Sequence, residues 1–258
     1  MRSAWIVARL TFLEIRRDRV LAIIGGLALL SMGLSYLFTF LALGQGRRII
    51  IDFGFGLGTL LGVALVIFVG TTLLHRESAG GSLDLILARP VGRGAFLVGK
   101  FLGLSAIVAI WTAAITIMIA AMLGLEGEAP GAGLWPAALL LWTKLEILAA
   151  LGLLLGTLSS PVLAGFLILG FALAGHTAGD LEGLIPLLSP AALTHAVEAM
   201  LLLLPRFDLY GAALPMALGD AVDRSVLVWG LSYGALYTLA VLVLAAWRLQ
   251  RTDLNAGA

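Results

Sequence analysis

Two ionisable residues, Lys144 and Glu146, stand inside an apolar run from Trp135 to Leu158. Charge at that depth is expensive in hydrocarbon, so such side chains mark a pathway or an ion pair by default. The two lie two positions apart, which on a helix turns them to nearly opposite faces and argues against mutual pairing. A second reading of Lys144 is that its span starts later than Trp135 and the long side chain snorkels to the outer interface. The histidines His75, His176 and His195 have no ligand spacing, and two of them fall on the expected outer side, so no metal site is expected. Cysteine is absent, which removes disulfide and thiolate chemistry.

Residues 94–100, GAFLVGK, match the first seven positions of a phosphate-binding loop. The eighth is Phe101 rather than Ser or Thr, and Phe96, Leu97 and Val98 run straight into an apolar helix instead of following a strand. No nucleotide site is expected in this chain. An energy source, if one is needed, must lie in a partner.

The elements that would position these residues follow from composition. A chain of 258 residues, 61% hydrophobic and 12% charged with mean hydropathy +1.08, is no soluble globular domain. A helix crosses roughly 30 Å of hydrocarbon with about 20 apolar residues, and the sequence predicts six such spans: Val20–Leu43, Phe53–Leu74, Ala95–Leu123, Trp135–Leu158, Val162–Ala178 and Val226–Trp247. The fold class is therefore an all-α polytopic membrane protein. Its first span is too long for a signal peptide's apolar region and stays as an anchor.

Most of the 16 basic residues collect on one side. Arg2, Arg9, Arg16, Arg17 and Arg19 precede the first span, Arg76, Arg89, Arg93 and Lys100 follow the second, and Arg248 and Arg251 close the chain. Arg47, Arg48, Arg206 and Arg224 fall opposite, so the positive-inside bias places both termini in the cytoplasm. Glu126, Glu128 and the acids from Asp180 to Asp223 gather on the outer side. Asp180 and Glu182 read as a solvated loop.

Before the first span, Arg2, Arg9 and Arg16 recur every seven residues among apolar neighbours, forming one stripe of an amphipathic interfacial helix, the second reading being a basic flank that only sets topology. Its arginines reach anionic headgroups, at about 1 kcal/mol each, while Trp5 and Phe12 dip into the acyl boundary. After span two, Gly80 and Gly81 lead to Ser82 as the N-cap of a short helix, with Asp84 near its start, Arg89 near its end and Pro90 stopping it. Its Leu83, Ile86 and Leu87 face needs an apolar groove on another protein. Gly54, Gly58 and Gly62 allow a second helix to approach closely, within the subunit rather than across a dimer seam. Between spans five and six, Pro186, Pro190, Pro205 and Pro215 divide apolar pieces too short to cross, which reads as re-entrant or interfacial helices.

Glu77, the Gly81-Ser82-Leu83-Asp84-Leu85 run, Arg89-Pro90 and the stretch from Gly92-Arg93-Gly94 to Gly99-Lys100 resemble the signature that follows span two in type-2 ABC exporter permeases, in the manner of nitrous-oxide-reductase maturation and gliding-type permeases. Leu204 to Asp208 resembles a further element of that family, and the likeness extends over the whole chain. It implies one transmembrane permease domain over 1–258: an interfacial helix at 1–19, a six-span bundle at 20–247 and a cytoplasmic tail at 248–258. It also implies a pair of permease copies or paralogues served by two cytoplasmic ABC ATPase subunits. ATP and magnesium would belong to that ATPase, with no cofactor in this chain, and coupling would run through Glu77, Ser82, Leu83, Asp84, Ile86, Leu87, Arg89 and Arg93. The expected setting is the inner (plasma) membrane, with lipid and no nucleic acid as partners. The competing classes are an integral membrane enzyme, which needs clustered His, Asp or Ser at one depth, and an assembly factor, which needs no coupling helix.

Overall fold

The computed structural model of the protein describes residues 2–41, 44–73, 92–185, 194–195, 197–198, 201 and 204–251. Among the described residues the chain is helical, without strands, and six of its helices are long and apolar enough to cross a membrane. In order they are α2 (Arg19–Thr39), α3 (Gly46–Leu65, prolonged by a π-turn over Val66–Gly70), α4 (Arg93–Leu125), α5 (Leu134–Leu158), α6 (Pro161–Leu184) and α8 (Arg224–Arg251). Helix α1 (Arg2–Arg16) precedes them, and a 3-10 turn at Phe207–Ala212 with the short α7 (Ala213–Leu218) precedes α8. The predicted coupling residues Glu77, Ser82, Leu83, Asp84, Ile86, Leu87 and Arg89 lie outside the described residues, as does part of the excursion between α6 and α7.

Local chemistry accounts for the boundaries. Asp18 caps α2 by accepting the Val20 N–H at 3.0 Å. Gly219, at φ 98°, takes the left-handed position that closes α7, and the next N–H, of Asp220, returns to the Pro215 carbonyl. The π-turn leaves carbonyls that lipid cannot satisfy, and the Thr71 and Thr72 hydroxyls donate to Ile67 and Phe68 at 2.6 and 2.8 Å. Helix α6 runs on through Asp180 and Glu182, correcting their reading as loop residues. The sequence offers no breaker there before Pro186.

The bundle is built around α5. Of its most apolar stretch 83% is buried, against 22% for α2 and 17% for α8, so α5 is enclosed by protein while α2 and α8 present apolar faces outward. Glycines set the approach to it and to α4. A Cβ at Gly54 would run into Ile119, one at Gly58 would lie 2.9 Å from Ile115, and one at Gly62 2.7 Å from Leu145. The Trp111 indole meanwhile donates to the Gly58 carbonyl at 3.0 Å. This glycine stripe of α3 therefore faces α4 and α5 of its own subunit.

Polar contacts stitch one end of the bundle. Arg47 at the start of α3 pairs with Glu128 at 3.2 Å and donates to the Ala129 carbonyl, and Thr39 donates to Glu126 at 3.0 Å. At α4 the rise of 1.5 Å per residue makes 33 residues about 50 Å long, well beyond the hydrocarbon thickness. Its excess length is where α1 docks.

Filling the α3 seam tests this packing. Gly54→Val overpacks Ile119 and should lower stability by about 1–3 kcal/mol, read as earlier thermal loss of the monodisperse peak in detergent. Gly33→Val on α2, where nothing lies within 4 Å of the new Cβ, should leave it unchanged.

Candidate functional site

Lys144 lies ten residues into α5, about 15 Å along its axis, near the middle of a span. Its side chain is enclosed by protein. The residue is 7% exposed, and its Nζ stands 2.6 Å from Nε2 of His176 on α6. His176 Nδ1 lies 2.7 Å from the Ala172 carbonyl one turn back, an acceptor only. That contact fixes the proton on Nδ1 and leaves Nε2 as a lone pair that accepts from the lysine ammonium. Phe207 closes the group, with its ring 5.8 Å from the imidazole and 5.7 Å from Nζ. Among the described residues no carboxylate lies within ion-pair distance of Lys144. α6 packs along α5, and His176 makes this contact from a largely exposed position at the edge of the pair.

The 3-10 turn that supplies Phe207 is held from three sides. Its neighbour Arg206 pairs with Asp208 at 3.0 Å and gives its backbone N–H to the Tyr233 hydroxyl. Tyr210 donates to the Gly230 carbonyl of α8 at 2.9 Å. On α6, a Cβ at Gly175 would meet Phe207 and the Pro205 carbonyl, each at 2.6 Å, so glycine there lets the turn enter between α6 and α8. Between this turn, α3 and α5 lies a cavity of about 260 Å³, whose lining includes Asp52, Thr59, Lys144 and Tyr210 among apolar groups such as Phe55 and Leu214.

Glu146 is also enclosed, at 6% exposure, but on another face. Its polar neighbours include Ser105 and Trp142, yet neither carboxylate oxygen closes a hydrogen bond, and the Trp142 indole nitrogen is likewise unmatched. The structure therefore separates the two charges. No group of three metal-ligating side chains occurs among the described residues.

A second assembly gathers at the start of α4. Helix α1 lies along it through Val7, Ala8 and Thr11, and glycines make the approach possible. A Cβ at Gly99 would stand 2.7 Å from the Ala4 carbonyl, and one at Gly103 would stand 2.8 Å from that of Ala8. Lys100, 2% exposed, extends to Glu14 of α1 at 3.5 Å, with the Phe96 ring 5.7 Å away. The lysine of the phosphate-loop lookalike is thus a packing and pairing residue. Arg93 ties the same end of α4 to the close of α8, donating to the Leu249 and Gln250 carbonyls at 3.2 and 2.9 Å, where the helix dipole favours a cation.

On α1 the far side carries exposed Arg9 and Arg16, with Trp5 70% and Leu10 62% exposed; Arg2 belongs to the same stripe by spacing. Phe12 is the exception, half-buried against the core rather than turned outward. Sequence reasoning missed the docking face of α1, the Gly99–Gly103 step and the Lys144–His176 contact. The first two carried a signal, since Val7, Ala8, Thr11 and Ile15 form the complementary stripe and Gly99 and Gly103 are a small-xxx-small pair.

Displacing α1 tests the docking. Gly103→Leu should push the helix from α4 and speed tryptic cleavage at Arg16 and Arg17 by about tenfold or more, read by limited proteolysis in mild detergent. Gly92→Leu, in open space, is the control.

A family model described as ABC-2 family transporter protein matches residues 5–254. No curated protein matches the chain.

Proposed function

The chain belongs to the ABC-2 transporter family and is a multi-pass permease subunit, and from that premise we propose that it exports its substrate by alternating access, driven by a separate cytoplasmic ATPase. Two ATPase subunits would serve two permease copies, or this chain and a paralogue. In this reading the start of α4, both termini and the segment 82–89 face the cytoplasm of a cell whose inner membrane holds the complex. The basic residues on that side support the orientation.

The observation that carries the reading is the three-way junction at Arg93. The residues read as the ATPase-docking helix end just before the start of α4, whose first turns are fastened to α1 through Gly99, Gly103 and Lys100 and to the end of α8 through Arg93. A push on that helix would arrive at α4 and carry α1 and α8 with it. Coupling of this kind requires ATP and substrate each to favour the same state of the assembly. ATP and magnesium would be held by the partner, since the residues from Gly94 to Lys100 are helix rather than loop. An enzyme reading has less support, because the family model that covers residues 5–254 describes a transporter protein.

Replacing Leu83, Ile86 and Leu87 together by Asp should leave membrane insertion intact and abolish association with the co-expressed ATPase. Co-purification in mild detergent reads the outcome, and unchanged association would remove the docking assignment.

A further inference from the structure

We propose that the cavity between α3, α5 and the Phe207–Leu218 segment binds a small zwitterionic group, its anionic end on Lys144 and its ammonium end toward Asp52. Lys144 carries three N–H donors, of which His176 takes one, and the residue is 93% removed from solvent with no carboxylate in pairing range among the described residues. A buried ammonium whose neighbour is a neutral imidazole calls for a counter-anion. At about 260 Å³ the space lies at the small end for organic ligands, room for a headgroup and not for a large cargo.

The remaining polar groups select the other end of the ligand. The Thr59 hydroxyl proton is committed to the Phe55 carbonyl at 2.7 Å, and that of Tyr210 to Gly230 at 2.9 Å, so both oxygens offer the cavity lone pairs only. Asp52 adds a carboxylate held by Arg48 at a slack 3.7 Å, its Oδ1 without any hydrogen-bond partner. The cavity thus has one cationic donor and three oxygen acceptors, one of them anionic. A simple anion would answer Lys144 and be repelled by Asp52, and a simple cation the reverse; a molecule bearing both charges answers both. Phosphoethanolamine has this chemistry, whether free or as a lipid headgroup. Binding follows from the cavity alone, while calling the bound group cargo rests on the transport reading.

The test measures binding in the full chain without ATPase, so its failure is separate from failure of ATPase docking. Native mass spectrometry of protein released from mixed phosphatidylethanolamine and phosphatidylglycerol nanodiscs would read the lipid source. Calorimetric titration of O-phosphoethanolamine into phosphatidylglycerol-only nanodiscs would read the free one. Lys144→Met and Asp52→Asn should each weaken the favoured ligand by about tenfold or more, and Asp52→Asn, at a partly exposed side chain, guards against misfolding of the lysine variant. Retention of the ethanolamine lipid points to a headgroup, and binding of the soluble probe alone points to a free solute. Either supports the proposal when both variants lose it. Equal retention of the two lipids without binding of the soluble probe, binding unaffected by Asp52→Asn, or no binding by either probe would overturn it.

Discussion

Close approach of helix backbones at glycine is the interaction on which this bundle depends. Between helices in lipid there is little hydrophobic force to exploit, so contact area and hydrogen bonds hold a membrane protein together. Gly54, Gly58 and Gly62 bring α3 onto Ile119, Ile115 and Leu145, and Gly99 and Gly103 bring α1 onto α4. Gly230 and Gly234 admit Leu140, Thr143 and Tyr210 between α5 and α8. Each of these sites would collide with a neighbour if it bore even a methyl group. The same approach lets the Trp111 and Tyr210 protons reach main-chain carbonyls of neighbouring helices, which only short separations allow.

Enclosure of α5 follows from that packing and explains how the chain carries charge at mid-depth. Lys144 and Glu146 are tolerable because other helices, not lipid, surround them. Their environments differ: Lys144 has an imidazole acceptor, an aromatic face and a cavity, whereas Glu146 sits in tight packing with unmatched oxygens. The turn at Phe207–Ala212 completes the first environment and shapes the cavity wall, so the excursion between α6 and α8 contributes to the interior. Through Arg93 and Lys100, the start of α4 is joined to α1 and α8, placing a three-helix junction at one end of the bundle, apart from the mostly apolar cavity beside Lys144.

Six spans were legible because about 20 apolar residues between polar breaks is a constraint imposed by the bilayer itself, and Arg19–Thr39 through Arg224–Arg251 all obey it. The glycine stripe of α3 was legible from its spacing. Pairings between distant segments were not. The Lys144–His176 contact joins positions 32 apart in sequence, and nothing in the spacing announces that the Ala172–His176 turn of α6 packs beside Lys144. Phe12 reads as a lipid-dipping residue because periodicity reveals a stripe without revealing how wide the opposing helix is. Asp180 and Glu182 read as loop because charge suggests solvent, yet nothing in their backbone chemistry ends a helix.

The central claim is that α1, the first turns of α4 and the end of α8 move as one body when the ATPase closes. The absence of cysteine makes spin labelling clean, and Leu10, Trp247 and Phe53 are exposed enough to carry labels. Double electron–electron resonance on the assembled transporter would compare Leu10→Cys/Trp247→Cys with Leu10→Cys/Phe53→Cys, with and without trapped nucleotide. The account predicts an unchanged distance distribution for the first pair and a shifted one for the second. A shift in the first pair as large as in the second would contradict it.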